Sequence, residues 1–217
     1  MSRLGDLFEK FRPATPASRE QPVSEADLNR WVVMGLGNPT EQYRRSRHNI
    51  GFMTVRHLAA KYHGELNRRK FNGRYTELRT DDGIIVLVQP QTYYNRSGEC
   101  ASAMLGYYKV PPERLIVMHD EMDLPERQIR LKRGGSDAGN RGVRSIAEAL
   151  ATPDFIRVRI GVAHPPGRDD SIDYLLRPLT SEELESFVPI FDRAADAVGA
   201  IMREGLERAR SVYNQRV

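Results

Sequence analysis

Short apolar runs alternate with amphipathic segments along most of the chain, starting at Trp31. The run WVVMGL, at residues 31–36, is apolar throughout and ends at a Gly-Asn-Pro turn, which predicts a buried strand. Apolar residues then recur at helical spacing between Phe52 and Tyr62, which predicts an amphipathic helix. The first unit of the chain is therefore predicted to be strand, turn and helix.

The same alternation continues towards the C-terminus. Apolar segments on both sides of an Asp-Asp-Gly turn predict a β-hairpin over residues 74–89. Further strands are predicted over 115–119, 128–133 and 156–163, and helices over 95–108, 141–150 and 181–214. Thr180 and Glu183 form a capping box before the last helical element, and Pro189 predicts a kink in it or a delayed start. This order predicts an α/β protein: a single three-layer α/β/α domain whose β-sheet is mixed because of the hairpin.

Residues 1–30 differ from the rest in composition. The first twelve residues place four apolar side chains on one side of a predicted short helix. A Pro/Ser/Glu-rich segment follows and is typical of a flexible linker. We therefore predict a flexible N-terminal extension over 1–30 and an α/β domain over 31–217.

Composition narrows the possible classes of protein. One cysteine, Cys100, excludes an internal disulfide framework and a Cys-rich zinc site. No apolar run reaches the length of about 18 residues that spans a membrane, and the N-terminus lacks a signal-peptide pattern, so a cytoplasmic protein is expected. The net charge is only +4, but 28 of the 33 basic residues are arginine, which suits bidentate recognition of phosphate.

Polar, glycine-containing loops follow several of the predicted strands, at residues 35–40, 92–98 and 134–142. Ligands of α/β proteins bind where such loops gather beyond the carboxyl ends of the strands. The first loop, GLGNPT, is similar to a dinucleotide-binding turn, but it lacks the third glycine and has Pro39 in its middle. No dinucleotide cofactor is therefore predicted.

His48 comes just before the first predicted helix, where its ring would be accessible. Imidazole is a suitable general base near neutral pH, and it works better when a carboxylate holds its tautomer. Asp120, at the end of a separate apolar strand, is the best-placed carboxylate. A surface or helix-capping role is the alternative for either residue considered alone.

The acidic group HDEMD also suggests a second kind of site. Asp120, Glu121 and Asp123 offer the oxygen ligands that Mg²⁺ or Mn²⁺ prefers, as in a metal-dependent phosphoesterase. Strand alternation, however, points Asp120 and Glu121 to opposite faces, and the histidines show no metal-binding pair four residues apart. We therefore predict no metal site.

Basic and apolar residues alternate on two predicted strands near the glycine-rich loop. Arg130 and Lys132 alternate with apolar residues on the first strand, and Arg157 and Arg159 do so on the second. Each strand is thus predicted to turn an apolar face inward and a basic face outward. Four such cations would hold a phosphate, and the alternative is an ordinary solvated face.

Five segments, in their order and spacing, resemble the bacterial-type peptidyl-tRNA hydrolase family. They are GLGNPTEQYRRSRHNIGF, PQTYYNRSG, VMHDEMDLP, IRLKRGG and FIRVRIGVAHP. The resemblance covers the chain from Trp31 to the C-terminus. It implies a monomeric α/β hydrolase with a twisted mixed sheet and without metal or cofactor. Its expected partner is peptidyl-tRNA, whose ester bond between peptide and tRNA it cleaves, so that tRNA from stalled or dropped-off translation products is recycled.

The resemblance also implies roles for individual residues. His48 is expected to be the general base, with Asp120 as its orienting partner and Asn38 as a further catalytic residue that helps to stabilise the oxyanion. The residues expected to bind substrate are Tyr43, Tyr94, Asn95, Asn140 and Arg141. Those expected to bind the 5′-phosphate of tRNA are Lys132 and Arg159.

Two positions depart from the family pattern. The glycine loop reads Asn140-Arg141-Gly142, where the family usually has His-Asn-Gly, and Tyr94 stands where methionine is usual. We expect Arg141 to contact the terminal adenosine or its phosphate and Asn140 to replace the missing amide. The alternative to an enzyme is a non-catalytic tRNA- or RNA-binding protein on the same scaffold. The joint presence of His48, Asp120, Asn38 and Asn95 favours the enzyme.

Overall fold

The computed structural model describes residues 29–165, 167 and 171–215 of the chain. The short helix and the linker predicted near the N-terminus lie in residues 1–28, outside these described residues. The predicted domain from residue 31 onwards is covered almost completely.

A mixed, seven-stranded β-sheet forms the centre of the described part of the chain. Its strands are β1 Arg30–Gly35, β2 Arg68–Lys70, β3 Gly73–Thr80, β4 Gly83–Pro90, β5 Leu115–Glu121, β6 Ile129–Arg133 and β7 Ile156–Gly161. Their order across the sheet is β2-β3-β4-β1-β5-β7-β6. Strand β1 runs parallel to β4 and β5, and β5 runs parallel to β7. The pairs β2-β3, β3-β4 and β6-β7 are antiparallel. The prediction of a mixed sheet with a central hairpin is confirmed.

Helices cover both faces of this sheet, as the three-layer prediction requires. They are α1 Ile50–Lys61, α2 Ser97–Tyr108, α3 Arg141–Leu150, α4 Ser171–Leu176, α5 Ser181–Glu204 and α6 Leu206–Tyr213. Helices α1 and α5 pack on the face that carries Val33 and Ile116. Helices α2 and α3 pack on the opposite face, which carries Val32 and Val117. None of the helices within the described residues is apolar and long enough to cross a membrane.

The C-terminal helical element differs from its prediction. Two helices, α5 and α6, replace the single predicted one, and they meet at Gly205, whose φ of +83° is one that glycine adopts easily. The apolar pattern continues across this break because Leu206 and Ala209 are buried too, so the periodicity does not reveal it. The capping box of Thr180 and Glu183 is confirmed, whereas Pro189 lies within α5 without ending it. The short elements β2 and α4 were not predicted.

The start of α1 lies unusually close to the ends of β1 and β5. A Cβ atom placed on Gly51 would lie 2.3 Å from the Met118 carbonyl oxygen and 2.6 Å from the Leu36 backbone nitrogen. Only glycine allows this approach, because the atoms in the way are backbone. The close contact sets the height at which the segment before α1, including His48, sits above the sheet.

Gly51→Ala is therefore expected to lower the free energy of unfolding by about 1–3 kcal/mol, because backbone has to move to accept the methyl group. Urea denaturation followed by circular dichroism measures this change. The matched control is Gly106→Ala in α2, where a Cβ would meet nothing within 4 Å. Alanine there should stabilise the helix by about 0.5–1 kcal/mol. Equal stability of the two variants would contradict the close-approach argument.

Candidate active site

His48 and Asp120 lie together where the parallel strands β1 and β5 end. His48 belongs to a short 3-10 turn, Arg47–Asn49, that leads into α1, and Asp120 is near the end of β5. The Nδ1 atom of His48 is 2.9 Å from Oδ2 of Asp120. A turn residue and a strand residue that lie 72 positions apart in sequence thus form a hydrogen-bonded pair.

The environment of the pair determines which nitrogen of the imidazole carries hydrogen. The Asp120 side chain is only 4% exposed, whereas that of His48 is 21% exposed. Burial by itself raises the pKa of Asp120, but the attraction of His48 and hydrogen bonds from His48 and Tyr94 outweigh it, so the pKa is lowered. Asp120 is then an ionised acceptor, and Nδ1 of His48 donates to it. The lone pair of the imidazole is left on Nε2, where a general base needs it.

Tyr94 lies against this pair and is buried. Its ring stacks on the imidazole of His48, with centroids 3.7 Å apart, and its hydroxyl donates to Oδ1 of Asp120 at 2.7 Å. Burial, and after it the negative charge of Asp120, raises the pKa of Tyr94 well above its usual value, so the hydroxyl stays protonated. The sequence-based expectation was substrate binding, whereas the structure places Tyr94 in contact with the two candidate catalytic side chains.

Asn140 and Arg141 occupy different positions at the start of α3. The side-chain oxygen of Asn140 caps the helix by accepting from the backbone N–H groups of Gly142 and Val143, and its Nδ2 donates to the Tyr94 hydroxyl. Both ends of this amide are therefore engaged inside the protein. The side chain of Arg141 is exposed and forms no hydrogen bond or ion pair with any residue that the structure describes. Arg141 is therefore the more exposed of the two altered loop residues.

Asn38 is held in place by a residue that the sequence analysis did not single out. The side chain of Asn49 accepts from the Asn38 backbone N–H at 2.7 Å and donates to the Asn38 carbonyl at 2.9 Å. The Asn38 side-chain oxygen accepts from the Thr40 N–H at 3.0 Å, which leaves its Nδ2 as the available donor. Asn49 follows His48 directly in sequence, so its position next to the candidate base was the available signal.

Asn38 and Asn49 line a cleft of about 480 Å³, and neither His48 nor Asp120 is among its lining residues. Its walls include the arginines Arg44, Arg56 and Arg74. Burial, and after it the nearby positive charge of Arg44, lowers the pKa of Arg56. Asn38 thus stands at the border of this basic cleft.

Tyr43 and Asn95, which were expected to bind substrate, lie in short 3-10 turns of their own. Asn95 is exposed just before α2, and Tyr43 is half-buried. Among the described residues, neither side chain hydrogen-bonds to His48 or Asp120. Both are therefore available to other groups.

The basic strands pair as expected, with one exception. Arg130 faces Arg159, and Lys132 faces Arg157, across the antiparallel β6-β7 pair, so all four lie on one face of the sheet. Arg157, however, is only 2% exposed. Its guanidinium donates to the carbonyl oxygens of residues 134, 135 and 136 in the glycine loop. The prediction that Arg157 faces outward is wrong, because the loop folds over it and needs donors for its backbone carbonyls.

Lys132 and Arg159, the residues expected to bind phosphate, lie close to this buried arginine. Burial, followed by the positive charges of Arg157 and Arg159, lowers the pKa of Lys132. The Nε atom of Arg159 donates to Glu121 at 2.8 Å, which holds the guanidinium in one orientation. Both side chains are partly exposed on the same face. Neighbouring cations of this kind attract an anion.

The three carboxylates considered as metal ligands bind different partners. Asp120 binds His48, Glu121 binds Arg159, and Asp123 lies 3.0 Å from the Nε2 atom of His164. Within the part of the chain that the structure describes, no three His, Cys, Asp or Glu side chains come close enough to share a metal ion. The acidic group therefore does not form the converging ligand set that a phosphoesterase of this type needs.

Arg47, which precedes His48, is a further residue that sequence reasoning missed. It is 3% exposed, donates to Glu126 at 3.3 Å and to Glu183 at 2.7 Å, and lies over the ring of Tyr174. These contacts tie the turn that carries His48 to the start of α5. The partners lie 79 and 136 positions away in sequence, so no local pattern could reveal them.

Comparisons with known proteins show which family the chain is similar to. A family model described as peptidyl-tRNA hydrolase matches residues 32–217. The peptidyl-tRNA hydrolase of Frankia casuarinae is 43% identical over 184 residues, which cover 85% of this chain and 93% of that protein. The enzyme of Nocardia farcinica is 41% identical over 181 residues, covering 83% and 94%. A crystal structure of peptidyl-tRNA hydrolase from Acinetobacter baumannii is similar with a TM-score of 0.77 and 34% identity, covering 84% of this chain and 93% of that one.

Proposed function

The chain belongs to the peptidyl-tRNA hydrolase family, and we propose that it hydrolyses the ester of peptidyl-tRNA with His48 as general base and Asp120 as its partner. The observation that carries the proposal is the hydrogen bond of 2.9 Å between His48 Nδ1 and the buried carboxylate of Asp120. It leaves Nε2 to receive a proton from water. A carboxylate in this position also stabilises the imidazolium that forms.

The proposed reaction uses this geometry. A water molecule attacks the ester carbonyl carbon while Nε2 of His48 takes one of its protons, which gives a tetrahedral oxyanion. Collapse of this intermediate breaks the bond to the ribose oxygen of the terminal nucleotide. That oxygen receives the proton from His48, and a free peptide carboxylate and tRNA leave. The water supplies the new carboxyl oxygen and the proton on the tRNA hydroxyl, and its second proton is released to solvent when the peptide carboxylic acid ionises.

The asparagines Asn38 and Asn95 are proposed to bind the substrate and to stabilise the oxyanion. The Nδ2 group of Asn38 remains available as a donor, because its side-chain oxygen binds the Thr40 N–H. A donor held in place before the reaction stabilises developing negative charge efficiently. The proposed further substrate contacts are Tyr43 and the exposed Arg141. Asn140 contributes indirectly, through the cap of α3.

The RNA-binding alternative without catalysis has less support. The altered residues of the glycine loop leave the hydrogen bond between His48 and Asp120 in place. A binding protein would not need this pair. Family membership also supports a monomer that acts in the cytoplasm, where peptidyl-tRNA is formed.

The direct test incubates the purified full-length chain with peptidyl-tRNA and follows the release of peptide. Release supports the enzyme, and binding of the tRNA without release would exclude it. The same assay in EDTA tests the metal-dependent alternative, because loss of activity there would support a divalent metal.

Lys132 and Arg159 are proposed to bind the 5′-phosphate of tRNA. Lys132→Ala should raise KM for full-length peptidyl-tRNA by about tenfold, which is the loss of one hydrogen bond to a charged group. It should leave hydrolysis of a minimal aminoacyl-nucleotide unchanged, because that substrate has no 5′-phosphate at the same distance. The dependence of KM on salt should become weaker as well.

The matched control for this phosphate contact is Arg133→Ala. Arg133 is exposed, lies next to Lys132 on β6 and, by strand alternation, points to the other face of the sheet. The substitution Arg133→Ala removes one positive charge, as Lys132→Ala does, and should leave KM for full-length substrate unchanged. Equal losses on the full-length and minimal substrates in Lys132→Ala would contradict a phosphate contact.

A further inference from the structure

A single side chain, Tyr94, touches both members of the proposed catalytic pair. Its ring stacks on the imidazole of His48 at an interplanar angle of 18°, with 3.7 Å between centroids. Its hydroxyl donates to Oδ1 of Asp120 at 2.7 Å, while His48 occupies Oδ2 at 2.9 Å. Tyr94 therefore restrains both the plane of the base and the carboxylate that orients it.

Tyr94 is in turn held by the start of α3. The Asn140 oxygen accepts from the N–H groups of Gly142 and Val143 at 3.1 and 3.0 Å, which turns its Nδ2 towards Tyr94. Nδ2 donates to the Tyr94 hydroxyl oxygen at 2.9 Å. The ring also lies against the backbone of Gly142, since a Cβ there would be 2.5 Å from its Cε1 atom. Both the ring and the hydroxyl are thus fixed from the side of α3.

The two hydrogen bonds that link these three side chains run in one direction: Asn140 donates to Tyr94, and Tyr94 donates to Asp120. A hydroxyl that accepts one hydrogen bond donates a stronger one, and a bond to a carboxylate is strengthened by its charge. Both oxygens of Asp120 are therefore occupied by donors. His48 has to keep its hydrogen on Nδ1, and its Nε2 stays free for the reaction.

We propose that Tyr94, anchored by Asn140, is a positioning residue that holds Asp120 and His48 in the orientation that hydrolysis of peptidyl-tRNA requires. The inference rests on the proposed function of the pair, and it adds a residue that acts through the pair rather than on the substrate. Tyr94 and Asn140 are both departures from the family pattern noted above. Their mutual hydrogen bond makes them one coupled feature.

Tyr94→Phe tests the proposal, because it keeps the stacked ring and removes only the hydroxyl. We expect kcat to fall about tenfold, as for loss of one hydrogen bond to a charged group, with KM little changed. Asp120 then carries more unbalanced negative charge, so the pair holds its proton more tightly and the acid limb of the pH profile moves to higher pH. The other titratable groups near the hydroxyl, Glu121 and His119, are unaltered in this variant.

Asn140→Ser provides a second, independent variant. Serine still caps α3, but its side chain is too short to donate to Tyr94. If Asn140 acts only through the hydroxyl of Tyr94, in a relay from Asn140 to Tyr94 to Asp120, the double variant Asn140→Ser/Tyr94→Phe should lose no more kcat than Tyr94→Phe alone. Losses that multiply instead would show that the two side chains act separately, and they would overturn the relay.

The matched control is Tyr93→Phe, which removes a hydroxyl from the neighbouring tyrosine, 64% exposed. It should keep the wild-type kcat and pH profile. An activity-independent readout is the NMR signal of the His48 Nδ1 hydrogen, which should shift in Tyr94→Phe and not in Tyr93→Phe. Failure of the wild type to release peptide would contradict the proposed function. A Tyr94→Phe variant with an unshifted signal or wild-type kinetics would overturn the inference about Tyr94.

Discussion

Replacing His48 with alanine should lower kcat for peptidyl-tRNA hydrolysis by about 10²–10⁴-fold, the usual contribution of a general base. The alanine variant has no group that can take a proton from water at this position. KM should change little, because the proposed substrate contacts are made by other residues. Single-turnover release of peptide from peptidyl-tRNA measures the loss at the chemical step.

The chain offers a matched control for this experiment in His57. Its Nε2 atom lies 2.7 Å from Asp192, so this α1 residue too is part of a histidine–aspartate pair, but its partner is Asp192 and not Asp120. His57→Ala should retain the wild-type rate. A His48→Ala variant that still releases peptide at this rate would contradict the assignment of the base.

Asp120→Asn should reduce kcat by about 10²–10⁴-fold while preserving the shape of the side chain. The carboxylate accepts from both His48 and Tyr94, whereas an amide has only one oxygen. If its NH₂ group faces His48, the imidazole carries hydrogen on Nε2 and cannot act as a base. In the other orientation the negative charge that stabilises the imidazolium is still missing. The kinetics of peptide release measure the loss.

Asp123→Asn is the control for this substitution, because Asp123 also lies beside a histidine, His164, but is exposed. It should leave kcat unchanged.

Stability offers a second readout for Asp120. Its pKa is lowered in the folded protein, so its carboxylate contributes stability above the unfolded pKa of about 3.9, which is lost as pH falls through the folded pKa. Urea unfolding in acid should show a weaker pH dependence in Asp120→Asn, and an unchanged dependence would contradict this linkage.

Much of the fold follows from local patterns. The apolar run that became β1 and the helical spacing that became α1 depend on neighbouring residues only, and the hairpin β3-β4 follows from an Asp-Asp-Gly turn. Gly205 is a position where the local pattern does not reveal the structure. Its backbone conformation breaks the last helix without changing the apolar pattern around it.

The residues of the candidate site could be predicted from local patterns only in part. His48 stood out because it precedes a predicted helix, and Asp120 because it ends an apolar strand. Both match family motifs, and the structure brings them together. Arg157 did not follow its strand pattern, since alternation gives the face of a side chain but not what covers that face. The glycine loop that buries it comes from a segment more than 20 positions away.

The sequence by itself determined most of the strands and helices and their order, the two candidate catalytic residues and the family, because periodicity and motifs are local properties of the chain. Only the tertiary structure decided which partners the unusual residues contact. Tyr94 meets Asp120 across 26 positions and Asn140 across 46, and their buried polar groups had to find partners with the right geometry. Such partners are chosen by the packing of distant elements, which no single stretch of sequence records.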